Sequence, residues 1–407
     1  MRPLRNPAHR VVEFYVSKIW AGSLDDALPI LTTNPNLLPA IKKVWQWSNF
    51  EAKKQLFSRW FAEFGDGFLK ISANDDANRV VLHVLDPRWI TDFTIDQRGY
   101  IQTLRLDMQI EKDGKVVWWT EYWTKDEITI WDGHTKGRES RDKIGTPTKR
   151  QKNSLGFVPI VHVPFRDIGE TRGMNCFWHT VDKIDEANRV ATRLHQILFR
   201  YNAPIFAVEQ QRSVNDPRPK PDKKKYTTGD TLEVNDEVMM ALPENAKLHT
   251  LVPQLDYRAM LDILNALMDE LEYDLPELKY YTVSKHGQAS GVALRYLLGD
   301  AIDRVIEARG NAVRGLIRAH QIALTIGQSL GLEGFEQATI GTYDDQSFDH
   351  TIADVPVIPL SKADQATILT SFLDAGLPLE SALREAGFST SGRTDILRLS
   401  VAEKSPN

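Results

Sequence analysis

The hydrophobic pattern of the chain changes its period several times. From residue 7 to 64 the apolar positions follow a helical period, with breaks at Asn34–Asn36 and again at Gly65–Gly67. Between residues 67 and 131 short alternating runs replace that pattern, separated by turn signals of which Asp113-Gly114 is the strongest. The pattern therefore predicts helices followed by a β-rich region.

The middle of the chain predicts a small β insert framed by two helices. Residues 132–154 are polar and predict an exposed loop, and 156–165 predict a buried strand. Apolar positions at spacings of three and four then predict helices over 177–201 and 254–275. Between them, 205–208 and 231–234 have the composition of strands.

The last third of the sequence is mostly helical in pattern. Residues 279–288 are polar and predict an irregular loop, followed by one long helix over 291–330 with a bend near Gly310. A strand signal at 352–358 and a helical tail over 362–385 complete the pattern. Taken together, the elements predict an α+β fold.

Composition and charge narrow the class of protein. The 407 residues favour two or three folding units, and the 50 basic residues against 55 acidic ones give a net charge of −5. A single cysteine, Cys176, excludes a disulfide framework, and charged residues interrupt the start of the chain where a signal peptide would be apolar. We therefore predict a soluble intracellular protein without a membrane segment.

Motifs for catalysis are missing from the sequence. It contains no phosphate-binding GxxxxGK[ST] loop and no HExxH zinc motif, so we predict no enzyme activity, no metal and no cofactor. Ser290 is better placed as a helix cap than as a nucleophile, and Cys176 as a packing residue. The aromatic segment from Trp45 to Phe64 favours helices packed on a sheet over a platform for stacking bases.

Two polar segments remain unexplained by folding alone. Residues 212–225 contain six basic residues against two acidic ones, which indicates either a solvated loop or a contact with a partner or nucleic acid. The segment 279–288 places Lys285 and His286 just before the long helix. A loop kept between two long helices favours a function.

Four segments in order resemble the portal proteins of tailed bacteriophages, in the family that includes the Bacillus siphophage portal. They are the strand LGFVPIVHVPF (155–165), the helix core DKIDEAN (182–188), the loop exit HGQASGVAL (286–294), and DVPVIPLSK (354–362) followed by GLPLE (376–380). The chain begins and ends differently from that family's pattern, so we expect a short N-terminal wing and a small crown.

The resemblance implies a division of the chain into the parts of a portal. The β-rich wing is 1–176, the stem helices are 177–201 and 254–275, and the small α/β clip between them is 202–253. The tunnel loop is 276–290, the long kinked helix 291–330, the closing wing strands 331–361 and the short helical crown 362–407.

The resemblance also implies sites and partners. The tunnel loop would face DNA with Lys279, Ser284, Lys285, His286 and Gln288, and the clip would bind partners with Arg218, Lys220, Lys223, Lys224 and Lys225. The expected partners are eleven further copies in a dodecameric ring, double-stranded DNA, the large terminase subunit, a head-completion or adaptor protein, and the major capsid and scaffolding proteins. Such a ring belongs to the virion and is assembled in the host cytoplasm.

Two other classes of protein stay open on the residues alone. One is a phage-associated enzyme that processes nucleic acid, and the other is an adaptor protein with a basic loop. The first needs a carboxylate or Ser/His constellation, which the sequence does not offer. The mass of the particle in solution separates both from a ring.

Overall fold

The computed structural model describes residues 6–34, 36–74, 78–201, 206–210, 246–250, 257–286, 291–335, 349–358 and 362–385. The chain divides into two compact units, one of residues 182–270 and one of residues 6–181 together with those from 271 onward. The smaller unit is thus an insertion in the sequence of the larger one. It covers most of the residues predicted as stem and clip.

Helices and strands alternate in blocks. The helices are α1 Pro7–Ile19, α2 Leu24–Ala27, α3 Leu37–Ser48, α4 Phe50–Phe64, α5 Arg141–Ile144, α6 Val181–Tyr201, α7 Tyr257–Asp274, α8 Leu278–His286, α9 Gly291–Leu297, α10 Gly299–Ser329, α11 Lys362–Asp374 and α12 Leu379–Glu385. The strands are β1 Ile30–Thr32, β2 Asp66–Asn74, β3 Arg79–Leu85, β4 Ile90–Ile95, β5 Ile101–Lys112, β6 Lys115–Thr124, β7 Glu127–His134, β8 Lys149–Lys152, β9 Ile160–Pro164, β10 Phe206–Gln210, β11 Ala246–Thr250 and β12 His350–Ile352. The predicted α+β fold class is confirmed.

A three-stranded antiparallel sheet, in the order β3-β2-β9, forms the middle layer of the larger unit. Its alternating side chains serve two cores, because successive residues of a strand point to opposite faces. Leu69 and Ile71 belong to the core shared with α1, α3, α4 and α10, whereas Phe68 packs on the other face. Trp45, Phe50, Phe57 and Phe61 are buried in the helical core, which confirms their predicted packing role.

A five-stranded antiparallel sheet, in the order β4-β5-β6-β7-β8, covers the other face. Its central hairpin pairs Lys112 with Lys115 across Asp113 and Gly114, whose φ angles of 54° and 71° fit the two-residue turn predicted there. The predicted loop over 132–154 is partly wrong. It contains the end of β7, the short helix α5 and the strand β8, which pairs with β7 through Thr129 and Arg150.

Helix α10 lies directly on the three-stranded sheet, and a glycine permits the close approach. A Cβ added to Gly315 would lie 2.2 Å from Cγ2 of Val163 on β9, well inside contact distance. The predicted bend near Gly310 is not where the helix is interrupted. The break falls at Leu298, between α9 and α10, and α10 continues through Gly310.

A two-stranded sheet joins distant parts of the chain. β1 pairs antiparallel with β12, with Leu31 opposite Thr351. The strand predicted at 352–358 is therefore shorter and earlier than expected. Arg309 of α10 secures the segment that follows, because its guanidinium donates to the carbonyl oxygens of Val355 and of Lys18 on α1.

The smaller unit combines two helices with a two-stranded sheet. Lys183 Nζ near the start of α6 lies 2.5 Å from Glu270 Oε1 near the end of α7, so the two helices run in opposite directions. β10 pairs antiparallel with β11, with Val208 opposite Leu248. The sequence pattern missed β11, and the strand predicted at 231–234 lies outside the described residues.

Candidate functional site

The segment predicted as a tunnel loop begins as a helix. Residues 279–288 were expected to be irregular, but Leu278–His286 form α8, and this part of the prediction is wrong. The reason lies just before the helix, where Leu275, Glu277 and Leu278 are buried in the core of the larger unit. Burial on one side stabilises a short helix whose sequence alone shows little amphipathic pattern.

Glu277 is the central residue of the corner between α7 and α8. Its side chain is 0% exposed, and Oε1 accepts a hydrogen bond of 2.7 Å from the Tyr15 hydroxyl of α1. Nη1 of Arg304 on α10 lies 3.6 Å from the same oxygen and donates to the carbonyl oxygen of Asp274 at 3.1 Å. The corner is thus bonded to two helices that are far away in sequence.

Burying the Glu277 carboxylate costs free energy, and the state of its second oxygen, Oε2, explains why. Within the described residues no group donates a hydrogen bond to Oε2. A buried carboxylate needs opposing donors to offset its lost hydration. Tyr15 and Arg304 supply them on one oxygen only, so the loss of either would leave the charge poorly compensated.

Two tyrosines fix the first turns of α8 to α1. The ring of Tyr280 packs edge-on against Phe14 at 5.5 Å and lies beneath the Lys18 ammonium at 4.8 Å. The Tyr281 hydroxyl donates to the carbonyl oxygen of Arg10 at 3.0 Å. These contacts direct the start of α8, and hence the chain that follows it.

The environment of the corner is dry. Burial, and after it the Glu277 carboxylate, raises the pKa of Tyr15 well above its ordinary value. Burial likewise raises the pKa of the Cys176 thiol, which is 5% exposed. Cys176 is therefore a neutral packing residue, as predicted, and not an activated nucleophile.

The predicted tunnel residues lie at and beyond the exit of this corner. Lys279 is half-buried on the first turn of α8, with its ammonium 5.9 Å from the ring centre of Tyr273. Ser284, Lys285 and His286 belong to the backbone of α8, and Gln288 lies outside the described residues, as does the predicted cap Ser290. α8 has nine residues and a length of about 13 Å.

The predicted clip residues form a different group. Arg218, Lys220, Lys223, Lys224 and Lys225 all lie outside the described residues. Their role as a partner site stays a prediction.

The residues that hold the corner were missed by the sequence analysis. Tyr15 is separated from Glu277 by 262 positions, and nothing in the local pattern links them. A weak signal did exist, since Glu277 is a lone acid between Leu275, Pro276 and Leu278. An acid inside an apolar run indicates a buried partner, which the sequence does not identify.

The described residues offer little for catalysis. No group of three or more potential ligands from histidine, cysteine, aspartate and glutamate comes together in that part of the chain, and Asp182 with Asp185 gains no third carboxylate there. No described helix is both long enough and apolar enough to span a bilayer. The described contacts around Glu277 position chain segments.

Comparison with known proteins places this architecture in one class. Residues 24–402 match the family described as phage portal protein, SPP1 Gp6-like. No individually curated protein matches the chain. Since the family match spans most of the sequence, the class is that of phage portal proteins.

The chain belongs to the SPP1 Gp6-like family of phage portal proteins, and its function is that of a portal protein. Among solved structures, it is similar to a chain in the neck of a native gene transfer agent particle and to one in the neck of an empty particle. Each has 12% identity and a TM-score of 0.49, and each match covers 94% of this chain and 90% of the other. Because these scores are below 0.5, the family assignment rests on the sequence match alone.

Proposed function

We propose that this portal protein acts as a closed ring of twelve copies at one vertex of a phage capsid. The ring would be the conduit through which double-stranded DNA enters and leaves the head. Family membership supports the portal role, and the surface of α7 supports self-association. There Leu261 and Ile263 are 46% and 55% exposed in the single chain.

Two exposed aliphatic side chains on α7, two positions apart, are the observation that carries the ring. Within the described part of the smaller unit, α6 and α7 bury Ala187, Ala191, Leu194 and Leu264. Leu261 and Ile263 stay outside that set. Covering them with a neighbouring copy gains about 25 cal/mol for each Å² of apolar surface removed from water.

The buried corner at Glu277 holds the start of α8, and this favours a channel role for that helix. α8 starts from a buried, bonded position. We propose that the end of α8 and residues 287–290 face DNA, with Lys285 as the principal cation. The net charge of −5 suits a conduit, because dense basic residues would bind phosphates and slow the passage of DNA.

The mass of the purified chain tests the ring. Gel filtration with light scattering should give about 0.56 MDa for twelve copies of the 46.3 kDa chain. A nucleic-acid-processing enzyme or a monomeric adaptor would give a much smaller particle. A chain that stays monomeric at micromolar concentration in physiological salt would overturn the proposal.

We further propose that residues 202–253 dock the large terminase subunit and later a head-completion protein. The basic group within 212–225 supports this role. Changing Lys223, Lys224 and Lys225 together to glutamate should leave the ring mass unchanged and reduce terminase binding and DNA packaging. Normal packaging by a folded triple variant would contradict it. We also propose that the ring contacts the major capsid and scaffolding proteins and that it is assembled in the host cytoplasm.

A further inference from the structure

The five-stranded sheet ends in a strand with an open edge. β8, Lys149–Lys152, pairs antiparallel with β7 and comes last in the strand order, so no described strand pairs with its other side. Such an edge can bind an extended segment through main-chain hydrogen bonds. Lysines on an edge also repel a second copy of the same strand, so charge selects which partner can approach.

The charge around this edge is opposite to that of the whole chain. Residues 136–152, here called the basic segment, contain seven basic residues against two acidic ones, whereas the chain has a net charge of −5. All seven basic side chains are exposed. Lys143 pairs with Glu139, and Arg150 with Glu127, but the other five have no carboxylate partner among the described residues.

A groove lies beside the same edge. It has a volume of about 410 Å³ and is bounded by α5 on one side and by β6, β7 and β8 on the other, and its lining includes the carboxylates of Glu127 and Asp142. Tyr122 and Trp131 contribute aromatic rings to its lining, and Arg141 and Arg150 contribute guanidinium groups. Arg141 stacks over the Tyr122 ring at 3.9 Å, and Trp131 Nε1 donates to the carbonyl oxygen of Gly145 at 2.9 Å. These contacts hold the groove in shape before any partner binds.

We propose that β8 and the adjoining groove bind an acidic, extended segment of another protein. The segment adds a sixth strand along β8, its acidic side chains face the unpaired cations of the basic segment, and one side chain enters the groove. This inference concerns the five-stranded sheet and does not depend on the channel role of α8.

The open strand edge favours a polypeptide over DNA. A strand edge presents alternating N–H and C=O groups, and only another peptide backbone offers matching acceptors and donors. Phosphates can use the cations and the N–H groups but leave the carbonyl oxygens unpaired. Charge alone would suit either partner, so the test must separate backbone pairing from charge.

Backbone-modified peptides separate binding through backbone pairing from binding through charge. The probe is a labelled peptide of ten residues alternating glutamate and threonine, together with two versions N-methylated at all even or at all odd positions. A strand turns alternate N–H groups toward any one neighbour, so one methylated version should bind like the parent and the other should lose affinity more than about tenfold. Equal binding of both versions, or no binding of the parent, would overturn the proposal.

Charge reversal on the edge supplies the second measurement. Lys149→Glu with Lys152→Glu should weaken binding of the parent peptide by about tenfold, as expected for two exposed charge contacts. The matched control is Arg98→Glu with Lys115→Glu, which makes the same change in net charge at exposed turns of the same sheet. The control should bind within about twofold of the unaltered chain.

Two further results would overturn the proposal, one in a DNA-binding measurement and one in the mass of the particle. Binding of a 20-base-pair duplex that the edge variant abolishes, without any peptide binding, would make this a nucleic-acid surface. A change in the mass of the particle on Lys149→Glu with Lys152→Glu would make it an interface between copies of this chain. An unchanged mass and the expected peptide pattern would support an acidic protein partner.

Discussion

At the scale of single residues, the hydrogen bond from Tyr15 to Glu277 compensates a buried carboxylate. Tyr15→Phe removes a hydroxyl donor that lies 2.7 Å from a fully buried carboxylate. We expect the free energy of unfolding to fall by about 1–3 kcal/mol, the cost of leaving a buried charged group under-bonded. Urea unfolding followed by tryptophan fluorescence measures it.

Tyr281→Phe is the matched control for that substitution. Its hydroxyl donates to a neutral backbone carbonyl at 3.0 Å, at a partly exposed position. The expected loss is below about 1 kcal/mol. Equal losses for Tyr15→Phe and Tyr281→Phe would show that the Glu277 corner is not specially dependent on its donor.

His320 and His350 form a buried pair, and their hydrogen-bond partners determine which ring nitrogen of His320 carries the proton. Trp45 Nε1 can only donate, and it lies 2.9 Å from His320 Nε2, so that nitrogen is the acceptor. The proton of His320 then sits on Nδ1 and is donated to His350 Nε2 at 3.1 Å. This arrangement requires His320 to be neutral.

Acid should therefore destabilise the fold through His320. Burial, and after it His350, lowers the pKa of His320 well below its ordinary value, so the unfolded chain binds a proton that the folded chain does not. The free energy of unfolding should fall as the pH drops below about 6.5, by at most about 1.4 kcal/mol per pH unit from this residue. His320→Gln should flatten the pH dependence of the urea midpoint between pH 5 and 7. An unchanged slope would contradict the assignment.

Glycines show how far single residues can be interpreted from sequence. Asp113-Gly114 was correctly predicted as a turn, because its signal is local. By helix propensity alone Gly315 is a cost to α10, yet its lack of a Cβ allows the helix to contact Val163 of β9. That benefit depends on a strand some 150 positions away, which no local pattern reveals.

At the scale of elements, the contacts that hold the start of α8 bear on the tunnel prediction. Because the helix is anchored by Glu277, Tyr280 and Tyr281, a change near its end should alter the channel without disturbing the fold. Lys285→Ala should leave the ring mass unchanged and change DNA retention or packaging efficiency. Lys285→Glu should have the larger effect, since each exposed phosphate contact contributes at most about 1 kcal/mol but recurs in every copy.

The position of Lys285 decides whether that effect can arise. A structure of the ring with Lys285 on its outer surface would contradict the tunnel assignment. Lys115→Ala is the control, since Lys115 is an exposed lysine at the turn between β5 and β6 and not in α8. It should leave packaging unchanged.

Elements with a clear periodicity were predicted well, and their boundaries less so. The two helices flanking the β insert were expected at 177–201 and 254–275, and they occupy Val181–Tyr201 and Tyr257–Asp274. Two of the failures were α8 and the break at Leu298, where the packing of Leu275, Leu278 and Leu298 in the core overrides weak local preference. Burial of this kind depends on the whole fold and not on the segment.

At the scale of the whole molecule, the exposed aliphatic side chains of α7 should control assembly. Leu261→Glu with Ile263→Glu places charges where we propose a neighbouring copy packs, so rings should give way to smaller particles in light scattering. Burial of each such side chain contributes about 1.5–3 kcal/mol, repeated at every interface. Val116→Glu, at a side chain 69% exposed on the β5–β6 hairpin, is the control and should leave the mass unchanged. Intact rings in the double variant would contradict this interface.

The family could be predicted from the sequence, but the residues of the candidate site could not. The ordered segments at 155–165, 182–188, 286–294 and 354–362 pointed to a portal protein, and the family match over 24–402 confirms it. The candidate corner joins Tyr15 of α1 and Arg304 of α10 to Glu277, which lies between α7 and α8. Order along the chain preserves a family resemblance, whereas contacts across it are set by packing.

The insertion of residues 182–270 within the larger unit has a consequence for protein synthesis. α10 covers β2, β3 and β9, but the ribosome makes it only after about 135 further residues have followed β9. At about 5–20 residues per second, the helix-facing side of that sheet waits on the order of ten seconds for its cover. During that interval the nascent chain exposes apolar strands, so chaperone binding should concentrate on chains arrested between residues 165 and 299.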